Sequence, residues 1–331
     1  MIALDNFIVW NLIDDRAGNQ SQCLGVSEAL GLRFEIRDLK YKPAAALPNF
    51  VMGETFGGLT ASSRVNLVEP WPNLIIAAGR RCSPVARHIK TLNGGNTFLV
   101  QIMYPGDTGI DEFDLVCTPR HDEIESRKNI FEIIGAPHRI TQDRLRVARQ
   151  NWQKRLCHLP NPRIAVIVGG STKRRNFTQQ MASELGAAAS KMAADAGGSL
   201  MVTTSRRSND SVDALINEIK APAVIYKWGD EGENPYLGFL AMAKGVIVTG
   251  DSVSMCSEAA ATTGPVWIYA PEKLTTRKHG MLHQHLVEGR YAKFLDARGG
   301  TYFETWEHPS LNASKQISAE IKRRLKTLKY E

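Results

Sequence analysis

The chain lacks most of the features that settle a protein's class at a glance. Its five cysteines, Cys23, Cys82, Cys117, Cys157 and Cys256, are odd in number and scattered, with no C-x-x-C pair. That argues against a disulfide framework or a zinc site, and for free thiols in the cytoplasm. No apolar run approaches the roughly 20 residues of a membrane span. The opening "MIALDNFIVWNLIDD" lacks the basic start and cleavage site of a secretory signal, and reads as a first strand. There is no G-x-x-x-x-G-K-[ST] loop, no H-E-x-x-H pair, no internal repeat and no low-complexity segment.

What is present is ordinary in amount. Of 331 residues, 43% are hydrophobic and 23% charged, enough for two buried cores in a globular protein. The formal net charge of +7 favours anionic partners. Its densest basic runs, "RHIK", "RLRVARQNWQKR" and the tail "KRRLKTLK", come with no nucleic-acid module, so no nucleic acid is expected. Each run taken alone reads as a solvated helix face.

Apolar runs of strand length recur at 7–13, 34–39, 74–78, 97–103, 113–117, 164–168, 199–203, 223–228, 245–249 and 265–270. Most are separated by helix-length stretches, which predicts parallel sheets with helices on both faces. The alternation breaks at "TQDRLRVARQNWQKR", 141–155, where Thr141 suits an N-cap and the prolines of "LPNPR" stop a helix. The fold class is therefore α/β, with two Rossmann-like parallel-sheet domains facing a cleft. The boundary is placed near residue 160, dividing the chain into domains 1–158 and 159–331. Leu311, Ile317, Ile321, Leu325 and Leu328 recur at helical spacing, predicting an amphipathic helix over 311–330 that could pack on either domain.

Three loops carry the chemistry. In "RIAVIVGGSTKRRNFT" a strand runs into Gly169, Gly170, Ser171, Thr172 and Lys173, with a helix from about Thr178. Adjacent glycines let the backbone approach a ligand, and basic residues suit a diphosphate. A tight turn with solvated cations explains the stretch about as well. In "TGDSVSMCSEAAATTGPV", Ser252 and Ser254 with the amides of Ser254, Met255 and Cys256 stand where a helix begins. Glu258, four residues beyond Ser254, faces the same side and suits the two hydroxyls of a ribose. A plain N-cap with a first-turn acid explains one serine and Glu258, but not the second Gly-Ser loop at the equivalent point two strands earlier. In "NLIDDRAGNQSQCLGVSEALG" the loop is expected over 14–22. Asp14 and Asp15 are candidates for a general base, and Gly18, Asn19 and Gln20 for holding an acceptor. A polar loop with Asp15 paired to Arg16 fits slightly better. Arg80 and Arg81 of "AAGRR" are expected at the mouth. Lesser features are the His279/His283 pair, whose i, i+4 spacing can bind metal, Arg206 after a strand, and Trp228, which could stack on a base or cap a core.

The loops "DDRAGNQSQ", "AAGRR", "VGGSTKR", "TTSRR" and "TGDSVSMCSEAAATTGPV" resemble those of the mitochondrial fission (elongated mitochondria) protein family, across nearly the whole chain. Bacterial members are often labelled predicted nucleoside-diphosphate-sugar epimerases. The resemblance implies a fold like the GT-B glycosyltransferases. The pattern is also similar to the transferase that adds N-acetylglucosamine to the lipid-linked peptidoglycan precursor. By that likeness Gly170, Ser171, Ser254, Met255 and Glu258 would contact uridine diphosphate. That transferase has a histidine in its first-domain loop, and "DDRAGNQSQ" has none. So Asp14 or Asp15 takes over as base, or the acceptor chemistry differs, or catalysis is lost. Plant relatives are implied to recruit a dynamin-type GTPase to mitochondria.

A short-chain-type epimerase is set aside, because no G-x-x-G-x-x-G follows the first strand to hold NAD. The expectation is a metal-independent, cofactor-free glycosyltransferase using a nucleotide diphosphate sugar of the UDP type. Its catalytic residues would be Asp14, Asp15 and Asn19, with the donor held by Gly169 to Lys173, Arg206, Ser252, Ser254, Met255 and Glu258. The alternatives are a non-catalytic recruitment protein and a GT-B-type 2-epimerase needing no NAD. An anionic membrane surface touched by "KRRLKTLK" is the further expected partner, making the protein cytoplasmic and peripheral.

Overall fold

The computed structural model describes residues 7–208, 211–298 and 300–327. The chain divides into two compact units. One holds the chain up to Arg139 together with the segment from Ala313 onward, and the other is Ile140–Asn312.

The first unit contains six parallel strands: β1 Val9–Ile13, β2 Glu35–Asp38, β3 Leu74–Ala78, β4 Phe98–Ile102, β5 Leu115–Pro119 and β6 Ile130–Ile133. Their order across the sheet is β2-β1-β3-β4-β5-β6. Every residue of β1, β3, β4 and β5 is buried, as continuous apolar runs require of strands covered on both faces. Alternation along β1 feeds two cores. Val9 and Ile13 meet Ile76, Val100 and the Cys23–Val26 face of helix Ala17–Leu30. Trp10 and Leu12 meet Ile75, Leu99 and the Val85–Ile89 face of helix Ser83–Leu92. Each such large side chain contributes about 1.5–3 kcal/mol by leaving water.

The second unit repeats the plan with β7 Arg163–Gly170, β8 Ser199–Arg207, β9 Ala223–Tyr226, β10 Gly245–Thr249, β11 Val266–Tyr269 and β12 Lys293–Phe294. All neighbours pair in parallel, in the order β12-β11-β10-β7-β8-β9. Ile164, Val166 and Val168 of β7 pack with Leu185, Ala189 and Met192 of helix Gln179–Asp195 on one face, and Ala165 and Ile167 are buried on the other.

Three boundaries differ from the sequence reading. The dividing point falls at 139/140, ahead of the expected 158/159, because helix Gln142–Leu156 belongs to the second unit. Its Trp152 fills the space above Gly238, where a Cβ would stand 2.4 Å from the indole, and Arg149 Nε donates to Ala241 O at 2.9 Å. The C-terminal helix, Ala313–Thr327, joins the first unit and starts two residues later than expected. Ile317 and Ile321 enter the core beside helix Ala17–Leu30. Ser314 Oγ accepts from His138 N at 3.0 Å and donates to His138 O at 2.8 Å, fixing the helix start. Leu328 and the end of the expected 311–330 span lie outside the described residues. Third, β6 and β12 are absent from the expected strands, since runs of four and two residues carry too little periodicity to be read.

Among the described residues no helix is long and apolar enough to cross a membrane.

Candidate functional site

Strand order marks where each sheet opens. In an open parallel sheet, the connections from two adjacent strands leave in opposite directions at one point, and a crevice forms outside their carboxyl ends. In the second unit this reversal lies between β7, which continues to β8, and β10, which continues to β11. The loops after β7 and β10 are the two Gly-Ser stretches of the sequence, now side by side. Gly169 N donates to Thr249 Oγ1 at 2.7 Å across the junction.

Both glycines of the first loop are required by space. A Cβ on Gly169 would stand 2.4 Å from Asp251 Oδ2. Gly170 has φ +109, and a Cβ there would meet the Arg207 carbonyl at 2.4 Å. The next residues are held by their own bonds. Ser171 N donates to Arg207 O at 2.9 Å, and Ser171 Oγ accepts from Phe177 N at 3.0 Å, which leaves its hydroxyl proton for a ligand. Thr172 N donates to Arg175 O at 2.7 Å and Thr172 Oγ1 accepts from Arg175 N at 3.1 Å, closing a turn with Lys173 exposed. Helix Gln179–Asp195 then starts from Thr178, whose hydroxyl caps Met181 N.

The second loop turns into helix Val253–Ala259 with Ser252 as N-cap, accepting from Met255 N at 3.3 Å. Cys256 N donates to Ser252 O at 3.0 Å, so the Met255 and Cys256 amides expected for a phosphate are already engaged. Helix geometry gives no intrahelical partner to the amides of Val253 and Ser254, the first two of the helix. Glu258 is partly buried one turn after Ser254 and accepts a hydrogen bond from the Tyr236 hydroxyl. Burial pushes the Glu258 carboxyl up to about 7, against the smaller opposing pull of that hydroxyl.

Sequence reasoning missed the pair beneath this site. Asp251 has no exposed side-chain surface, and its two carboxylate oxygens make no hydrogen bond. Its compensation is charge alone, from Arg207 Nη1 at 2.8 Å from Oδ2. Arg207 also reaches Ser171 O at 3.2 Å, so one guanidinium ties the Gly-Ser turn to the buried acid. Arg206, the expected residue, is exposed. Successive strand residues point to opposite sides, so "SRR" offers one arginine to the loop and one to water, and sequence does not say which. Asn209 and Asp210 of that segment lie outside the described residues.

The lesser features also resolve. His279 belongs to the capping box of helix Arg277–Glu288, its Nδ1 accepting from Thr276 N at 3.3 Å, and burial holds its imidazole below the usual range. His283 Nε2 lies 2.9 Å from Gly250 O. Among the described residues there is no group of three or more metal-ligating side chains. Trp228 is 54% exposed, so it does not cap a core.

In the first unit the reversal lies between β1 and β3, and the loops there are "DDRAGN" and "GRR". Helix Ala17–Leu30 starts at Ala17, so Gly18, Asn19 and Gln20 form its first turn and not a loop over 14–22. The Asp14 side chain is 2% exposed. It accepts from Arg81 Nη2 at 2.9 Å, from Asn19 Nδ2 at 3.1 Å and from Arg16 N at 3.1 Å. Asn19 fits against Gly79, at φ +82, where a Cβ would stand 2.7 Å from its Nδ2. Asp15 pairs with Arg81, not with Arg16, and that hydrogen bond holds its carboxyl below the usual range. Arg81 stacks on the Tyr41 ring at 4.5 Å. Arg80 turns away from the junction to the carbonyls of Ala46 and Leu47, and to Asn49 Oδ1 at 3.1 Å. Asp14, Asp15 and Asn19 thus come together, but as a linked network.

Two six-stranded parallel sheets of this topology place the protein in the class of GT-B folds. The structure is similar to UDP-GlcNAc 2-epimerase from Methanocaldococcus jannaschii, with TM-score 0.58 and 11% identity, covering 97% of this chain and 100% of that one. The same enzyme solved in complex with UDP-GlcNAc and UDP gives TM-score 0.56 at 12% identity, with the same coverage.

The family model described as mitochondrial fission ELM1 matches residues 17–325, and the chain belongs to that family. A protein of Rickettsia prowazekii is 30% identical, covering 96% of this chain and 98% of its own. Mitochondrial fission protein ELM1 of Arabidopsis thaliana is 27% identical over 81% of this chain and 67% of its own.

Proposed function

We propose that the second unit binds a nucleoside-diphosphate sugar of the UDP type at the β7/β10 junction, and that the protein is a GT-B-type enzyme acting on it. The observation that carries this is the pairing of two Gly-Ser turns at one strand reversal, with Glu258 a helical turn beyond them. The hydroxyls of Ser171, Ser252 and Ser254, the amides of Val253 and Ser254, and the exposed cations Lys173 and Arg206 meet the diphosphate. Glu258 takes the ribose hydroxyls. As the bond from the sugar's anomeric carbon to the diphosphate breaks, charge grows on the β-phosphate, where fixed donors stabilise it without a metal.

In the first unit, a base role for Asp14 or Asp15 would require release from Arg81. The Asp14–Asn19–Arg81 network is better suited to shaping the acceptor side than to taking a proton. The structurally similar M. jannaschii enzyme is a UDP-GlcNAc 2-epimerase, so both sugar transfer and 2-epimerisation fall within this reading.

The test is thermal shift with UDP, UDP-GlcNAc and a panel of other nucleotides, wild type beside Glu258→Ala. A ligand at a hundredfold its Kd stabilises by about 2.7 kcal/mol. A Tm rise with a uridine diphosphate compound, lost in the variant, is the expected result. Proton NMR of UDP-GlcNAc incubated with protein separates epimerisation from transfer. No shift with any nucleotide overturns the reading, and the recruitment role implied by the mitochondrial fission family then stands in its place.

A further inference from the structure

The donor reading leaves Tyr236 unexplained. It opens helix Tyr236–Met242, on a different element from Glu258, and its hydroxyl donates to Glu258 Oε2. Among the described residues Glu258 Oε1 makes no hydrogen bond, so one carboxyl oxygen is held and the other is left open. A free glutamate side chain has three rotatable bonds, and fixing it before the ligand arrives lowers the cost of binding. Neither a first-turn acid nor a core tyrosine accounts for such a contact. An acid placed only for the helix dipole has no use for a second helix's hydroxyl.

We propose that Tyr236 is a positioning residue for the donor site, holding Glu258 so that Oε1 faces the ribose hydroxyls of a nucleoside-diphosphate sugar. This rests on the donor reading above and adds a residue to it. Two influences act on Glu258: burial, which raises its proton affinity, and the Tyr236 hydroxyl, which lowers it. Those acting on Tyr236 are burial, Glu258 and the buried Cys256 thiol of the same helix, and all of them raise its proton affinity. No cation is among them. A ribose that donates two hydrogen bonds needs the ionised carboxylate, so donor affinity rises with pH through the Glu258 midpoint. Loss of the tyrosine hydroxyl moves that midpoint upward.

The experiment is calorimetric titration of UDP-GlcNAc from pH 5.5 to 8.5, since its phosphate diester charges stay constant over that range. Wild type should lose affinity by up to about tenfold per pH unit below a midpoint near 7. Tyr236→Phe should shift the midpoint upward and weaken binding at pH 7 severalfold, while Glu258→Gln should flatten the profile. Replacing Tyr236 by 3,5-difluorotyrosine, a stronger donor of the same shape, should move the midpoint down. This keeps the test valid if the phenylalanine variant folds poorly. Binding whose midpoint is the same with tyrosine, phenylalanine and fluorotyrosine overturns the role of Tyr236 and leaves the donor reading intact. No binding at any pH overturns both.

Discussion

The two strand reversals of this molecule are built alike and filled differently. At the β1/β3 junction the loops contribute Asp14, Asn19 and Arg81, whose side chains converge by hydrogen bonds on the Asp14 carboxylate. At the β7/β10 junction the loops contribute Gly169, Gly170 and three serines, and the buried Asp251 carboxylate beneath them makes no hydrogen bond. A buried carboxylate with several donors is a finished structural element. One with a single charge contact stores unused hydrogen-bonding capacity, which natural structures keep mainly where function needs it. The same strand reversal, made twice by topology, carries a network of charged and amide side chains in one unit and glycine and serine turns in the other.

The strongest way to break this comparison is to unlock the first junction. Arg81→Ala leaves the buried Asp14 carboxylate without its cation and should cost about 3 kcal/mol or more, read as a lower urea midpoint at unchanged slope. A loss below about 1 kcal/mol would show that the network is not a structural lock. At the second junction, Gly170→Ala meets backbone at φ +109 and should cost roughly 2–3 kcal/mol in the same assay.

Glu258 gives a pH-dependent contrast. Its folded midpoint, about 7, lies above its ordinary value of 4.5, so the folded state holds the extra proton between them. Stability from this group is fully present below pH 4.5 and is lost as pH rises through 7, by roughly 3 kcal/mol. Glu258→Gln should remove that slope, checked by urea melts at pH 4.5, 6 and 8. An unchanged slope would mean that the carboxyl titrates normally. Smaller effects remain in the first unit. Gly18→Ala, in a helix with open space around it, should gain about 0.5–1 kcal/mol by chemical denaturation. Asp15→Asn, with its side chain 74% exposed, should change the urea midpoint by less than any of these and leave the fold intact.

Much of this was legible along the chain. All ten apolar runs overlap strands, and the central ones, such as β1, β3, β4 and β5, are mainly apolar because both of their faces are covered, a pattern that survives without any tertiary knowledge. Thr141 was readable as a cap, and the helix starts near Thr178 and Ser252 were readable too, because capping is a contact between residues three apart. The Gly-Gly-Ser and Asp-Ser-Val-Ser loops stood out for the same local reason. What was misread involves contacts distant in sequence. Arg81 answers Asp14 across 67 residues, Arg207 answers Asp251 across 44, and Tyr236 answers Glu258 across 22. The helix at 142–156 was assigned to the wrong side of the boundary because its own polarity says nothing about what Trp152 will cover.

By itself, then, the sequence determined the element types, the two-sheet α/β plan and the loops where glycine and serine permit a close approach, because periodicity, turn chemistry and backbone freedom are local properties. Tertiary structure alone decided which side chains meet at each junction. That depends on strand order bringing the loop after β7 beside the loop after β10, and on which cation each buried carboxylate meets there.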